Sequence, residues 1–131
     1  MADFPAAGHV ALTVTDLQKS AEWYGKLFGS KPVLDEDTGP WHHIVYALPG
    51  GFLVGLHGHP STDTSEKFSE FRPGLDHLAF AVSSRADLEQ CEARLNELGI
   101  KHGGIVDASY GSGLSFRDPD NIALEFFAPP G

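Results

Sequence analysis

The sequence predicts an α+β fold made of one βαβββ unit used twice, two tandem modules whose sheets form a cup-shaped half-barrel. Three observations carry this. GHVALTV at residues 8 to 14 and DHLAFAV at 76 to 82 share a His-x-Ala pattern with a closing valine, and an internal repeat sets the architecture before any single residue is interpreted. Each copy then runs into a segment of helical spacing with a cap and a glycine stop. Each helix is followed by three short extended segments divided by turn signals.

Module 1, about residues 7 to 57, opens on the strand of the first copy. Asp16 caps a helix in which Leu17, Ala21, Tyr24, Leu27 and Phe28 recur at helical spacing, and Gly29 supplies the left-handed stop. The segments KPVLDE, WHHIVYAL and GFLVGLHGH follow, separated by DTGP and PGG. HPSTDTSEKFSEFRPG, polar and bounded by prolines, reads as a linker over about residues 58 to 73. Module 2, about residues 74 to 129, repeats the order. Ser84 and Asp87 make a loose capping box ahead of Leu88, Cys91, Leu95 and Leu98, with Gly99 as the stop. KHGGIVDA, GLSFRD and NIALEFFA come next, with YGSG and DPDN as turns. The 131 residues have the length of one domain, able to bury a core without staples.

The net charge of −9, from 9 Lys plus Arg against 18 Asp plus Glu, and the lack of a basic cluster argue against a nucleic-acid surface. The one cysteine excludes an internal disulfide, and its place on the apolar helical face makes it a reduced core residue. MADFPAAG lacks a basic start followed by an apolar stretch, and no segment approaches the about 20 apolar residues of a membrane span. A soluble, cytoplasmic protein is expected.

Parity sorts the strand side chains between a helix-packed face and an open one. Val10, Leu12 and Val14 form the apolar set under the first helix, which puts His9, Ala11 and Thr13 opposite. In the repeat, Leu78, Phe80 and Val82 go under the helix and His77, Ala79 and Ala81 go opposite. Ile122, Leu124 and Phe126 likewise leave Ala123, Glu125 and Phe127 on the open side. His77, in a run that reads as a buried strand, must pair both ring nitrogens. Two imidazoles and a carboxylate on open faces form a standard ligand set for a divalent transition metal with sites left for substrate. The structural alternative is a hydrogen-bonded polar cluster in a metal-free binding cavity.

The duplicated unit, the run GHVALTVTDLQKSAEWYGKLFG, the opening GLDHLAFAV and the close FRDPDNIALEFF together resemble the vicinal oxygen chelate superfamily over nearly the whole chain. That group includes glyoxalase I, extradiol ring-cleaving dioxygenases, methylmalonyl-CoA epimerase, fosfomycin-modifying transferases and bleomycin-binding proteins. The resemblance implies metal positions at His9, in the fourth strand of module 1, at His77 and at Glu125. Aligning LVGLHGH with ALEFFAP sets Gly55 opposite Glu125, so the carboxylate that glyoxalase I and the epimerases carry there is missing. The three-ligand pattern of the extradiol dioxygenases and fosfomycin transferases fits better. His57, two residues on and on the same face, is a candidate fourth ligand or acid/base group, and His59 follows near the strand's end.

Other pocket candidates are His43, which shares the open parity while His42 faces the helix, and Tyr110, which can donate a proton or cover the cup mouth. Arg117 either salt-bridges an acidic turn, the favoured role, or neutralises an anionic substrate. Trp41, Phe52 and Phe127 read as apolar walls or core. What the resemblance implies is a metal-dependent dioxygenase or lyase/isomerase whose small substrate chelates Fe2+, Mn2+, Ni2+ or Zn2+ through vicinal oxygens. The rival is a metal-free drug- or metabolite-binding protein of the bleomycin-resistance type. The expected partners are a small-molecule substrate and a second copy in a homodimer, with no nucleic acid and no membrane.

Overall fold

The computed structural model describes residues 3–131. Its elements run β1 (His9–Thr13), α1 (Leu17–Phe28), β2 (Leu34–Asp37), β3 (His42–Ala47), β4 (Leu53–Gly58), β5 (Leu78–Ala81), α2 (Arg85–Glu97), β6 (His102–Ala108), β7 (Gly111–Arg117) and β8 (Ala123–Ala128). This is the βαβββ order stated twice. The chain divides into two compact units, one ending at Ser65 and the other beginning at Glu66.

In unit 1 the sheet order is β1-β4-β3-β2, with β1 parallel to β4 and the other pairs antiparallel. The Asp16 side chain accepts from the Lys19 amide at 3.1 Å to start α1, and Gly29 ends it at φ 65°. One sheet face, carrying Leu12, Ile44, Tyr46, Val54 and Leu56, is buried with Tyr24 and Leu27 of the helix. The Tyr46 hydroxyl donates to the Ala21 carbonyl at 2.6 Å, which ties β3 to α1. Helix and sheet thus bury the face that carries Leu12, Ile44, Tyr46, Val54 and Leu56.

Unit 2 repeats the arrangement with the order β5-β8-β7-β6 and β5 parallel to β8. Ser84 accepts from the Asp87 amide at 3.1 Å, the predicted cap of α2, and Gly99 turns the chain out at φ 72°. Leu88, Leu95, Leu114, Phe116, Ile122 and Leu124 form its core. Cys91 is half-buried beside them, and burial, with Asp87 nearby, pushes its thiol up, as a structural cysteine requires. Two boundaries differ from expectation. β7 begins at Gly111, inside the segment read as the YGSG turn, because the actual reversal needs only Ser109 and Tyr110. The end of the expected linker is also fastened: the Phe68 amide donates to the Asp120 carbonyl at 3.0 Å, Asn121 Nδ2 donates to the Phe68 carbonyl at 3.1 Å, and Arg117 grips Glu70 at 2.6 Å.

Candidate functional site

Strand register places the candidate residues. In unit 1, Ala11 pairs with Gly55 and Thr13 with His57; His43 pairs with His57 on its other side and with Glu36 of β2. Paired residues share a face, so His9, His43 and His57 stand on the face away from α1, as parity predicts, and His42 on the other. In unit 2, Ala79 pairs with Glu125, and Glu125 with Ser115. Ala11–Gly55 and Ala79–Glu125 are therefore equivalent pairs of the repeat, which confirms Gly55 as the counterpart of Glu125.

His77 is not the buried strand residue that its sequence setting predicts. β5 begins one residue later, and the His77 side chain is 47% exposed. Its Nδ1 lies 2.7 Å from Asp76 Oδ1 and its Nε2 lies 3.6 Å from Glu125 Oε1. If Nδ1–H donates to Asp76, the Nε2 lone pair faces a carboxylate oxygen. Two acceptors so placed call for a cation or a proton between them.

Glu125 pairs with Ser115 of β7, and its carboxylate extends over Gly113, the next position on the same face. A Cβ added at Gly113 would stand 2.8 Å from Glu125 Oε2, and one at Gly111 would collide with the Ala128 carbonyl and the Phe127 ring. The two glycines thus seat the carboxylate and the neighbouring ring. Phe127 in turn stacks on Tyr110, with planes 12° apart and centroids at 6.1 Å. Sequence reasoning does not single out Asp76, Gly111 and Gly113; glycines at alternate positions of one strand, beside a strand that carries a lone glutamate, are the available signal. The chemistry of this donor set fits a divalent cation. Among the described residues, no group of three or more His, Cys, Asp or Glu side chains that could hold a metal ion is gathered; the structure brings His77 to Glu125, while His9 belongs to unit 1.

Around His57 the rings form a chain. His43 lies 5.2 Å away by ring centroids, His59 5.8 Å and Trp41 6.4 Å. Burial, then His43, His59 and His9, lowers the His57 pKa, so this imidazole is neutral at neutral pH, the form that accepts a proton. A Cβ on Gly55 would lie 3.7 Å from the His57 ring. His57 therefore leans over the position that holds the carboxylate in unit 2. His43 Nε2 bonds Glu36 Oε1 at 2.9 Å. Arg117 shares the open parity of Gly113 and Ser115, but Nη1 and Nη2 are held by Glu70 at 3.3 and 2.6 Å and the Asn121 carbonyl takes Nη1 at 3.1 Å. Its charge is matched by Glu70, at the end of the linker segment, and not by the acidic turn that follows it in sequence.

A model of the Glyoxalase/Bleomycin resistance protein/Dioxygenase superfamily matches residues 6–126. Among solved structures, a glyoxylase/bleomycin resistance protein/dioxygenase domain from Frankia sp. EAN1pec is 36% identical, covering 98% of this chain and 100% of that one, with a TM-score of 0.88. The fold is shared with a glyoxalase family protein from Enterococcus faecalis, at 23% identity, coverage of 95% and 98% and a TM-score of 0.79. It is also shared with a variant of the fosfomycin resistance protein FosX from Listeria monocytogenes complexed with Mn(II) and 1S,2S-dihydroxypropylphosphonic acid, at 18% identity, coverage of 98% and 95% and a TM-score of 0.70. With the repeat, both sheet orders and a family match across nearly all its length, the chain belongs to the Glyoxalase/Bleomycin resistance protein/Dioxygenase superfamily.

Proposed function

We propose that the protein is a metal-dependent enzyme of the glyoxalase or extradiol dioxygenase type, with His9, His77 and Glu125 as ligands of a divalent cation. The single observation that carries this is His77 Nε2 facing Glu125 Oε1 at 3.6 Å, with Nδ1 of the same ring engaged by Asp76. The third ligand comes from unit 1, of the same chain or of a second copy in a homodimer. A bound divalent cation would act as a Lewis acid on a substrate presenting two adjacent oxygens. The side chains do the rest. Asp76 orients His77, Gly113 leaves Glu125 its room, and neutral His57 takes or returns the substrate's proton. Phe127 and Tyr110 offer ring surface beside Glu125.

The test is elemental analysis of protein purified without tag or chelator, then reconstituted with iron, manganese, nickel and zinc. About one equivalent per chain, lost in Glu125→Ala and His77→Ala, supports the reading, and the metal's identity narrows the chemistry. No binding of any of the four overturns it. A metal-free protein that holds a drug or metabolite is the second reading, favoured by the exposed rings of Trp41 and His59 beside the half-buried His57 on unit 1.

A further inference from the structure

We propose that the open face of unit 1 binds a planar aromatic ring that is neutral or cationic, not anionic, stacked on Trp41 beside His57 and His59. This rests on the reading of that face as the ligand's, but not on the metal. The rings lie against one another: Trp41 lies 6.4 Å from His57 with planes 16° apart and 6.3 Å from His59, by centroids. Counting back from His43, Trp41 shares the open parity, and it remains 37% exposed. The packing of α1 uses the opposite face, so the stability of the unit does not demand rings here. Ala11, Thr13 and Gly55, on the same face, are small.

Charge selects among rings. Unit 1 has three cationic residues, Lys19, Lys26 and Lys31, all on α1 or the loop after it, so its open face has no Lys or Arg. β2 instead brings Glu36 to this face, exposed and bonded to His43, while Asp35 and Asp37, paired with Ile44 and His42, stand on the other. An anionic ring would meet the Glu36 carboxylate with no Lys or Arg on the face to offset it. A neutral ring stacks on the indole, and a cationic one adds cation–π attraction.

The experiment follows the two indole N–H signals, Trp23 and Trp41, by 1H–15N NMR in chelator-treated full-length protein, with Trp23→Phe to assign them. Quinoline, N-methylquinolinium, naphthalene-2-sulfonate and cyclohexanol are titrated separately. The expected result is a saturable shift of the Trp41 signal with the first two probes, much weaker binding of the sulfonate and none of cyclohexanol. Trp41→Leu, monitored through the His57 and His59 ring signals, lowers quinoline affinity about tenfold or more. His59→Ala, which leaves the indole in place, weakens it to a lesser degree. A Trp41 signal that no ring moves, or that the sulfonate or cyclohexanol moves as strongly as quinoline, overturns the proposal. Because metal is absent throughout, failure here leaves the ligand set of His9, His77 and Glu125 standing, and failure of metal binding leaves the ring site standing.

Discussion

Gly113→Ala separates the site from the scaffold. An added Cβ would lie 2.8 Å from Glu125 Oε2, too close for the carboxylate to stay, yet the atom that must move is the end of a flexible side chain. The backbone of Gly113 does not have positive φ, so alanine fits the strand and restricts the unfolded chain, a change of about 0.4–1 kcal/mol in the stabilising direction. The carboxylate, in contrast, must swing from its seat opposite His77. Displacing a group that orients a ligand typically lowers metal affinity about 10–100-fold, or about 1.4–2.7 kcal/mol. Gly111→Ala is the control. It has φ 142° and meets the Ala128 carbonyl, so strain alone costs on the order of 1–3 kcal/mol of folding stability. Urea unfolding in chelator gives the stability arm, and competition with a chromophoric chelator gives the affinity arm. Gly113→Ala with undiminished metal affinity, or with a stability loss equal to that of Gly111→Ala, would refute the assignment of Gly113 as the seat of Glu125.

Further outcomes follow from other contacts. Asp76→Ala removes the 2.7 Å partner of His77 Nδ1 at an exposed position; metal affinity should fall about 10–100-fold with an unchanged urea midpoint, and calorimetric titration checks both. The lowered His57 pKa means that the unfolded chain takes up this proton first as pH falls below about 6.5. His57 thus favours the folded state above that value and the advantage is lost as pH drops through its depressed pKa; His57→Gln should flatten the stability-pH curve in that window. Leu124→Ala, at 1% exposure, should cost about 2–5 kcal/mol in urea unfolding. Arg117→Ala should speed proteolysis at Phe71 and Arg72, since Arg117 holds Glu70 beside them; cleavage at the wild-type rate would assign the fastening to Asn121 and Asp120.

The fold was legible because its signals are periodic. The alternation of Val10, Leu12 and Val14, the helical spacing of Leu88, Cys91 and Leu95, and the caps Asp16 and Ser84 are each set by local geometry, and each returns in the structure. Parity also placed His43, His57 and Glu125 on their faces, because a strand gives a side chain only two directions. Where a strand ends is less constrained. GLDHLAFAV is apolar as a string and so predicts a buried His77, but pairing with β8 starts at Leu78, and a residue one step before a ladder is not covered by it.

The supports of the site lay beyond the sequence for a different reason. The orientation of His77 depends on the carboxylate of the residue before it, and the seat of Glu125 depends on the strand beside it, neither of which a period of two can express. Gly55 shows the limit most clearly. Repeat alignment identifies it as the position of a missing carboxylate, and that alone suggests a poorer site. The structure shows the His57 ring 3.7 Å from where the Gly55 side chain would begin, so the loss of one group is coupled to the placement of another. The two copies share a backbone while their open faces differ: a carboxylate set against an imidazole in unit 2, and in unit 1 an imidazole flanked by the rings of His43, His59 and Trp41.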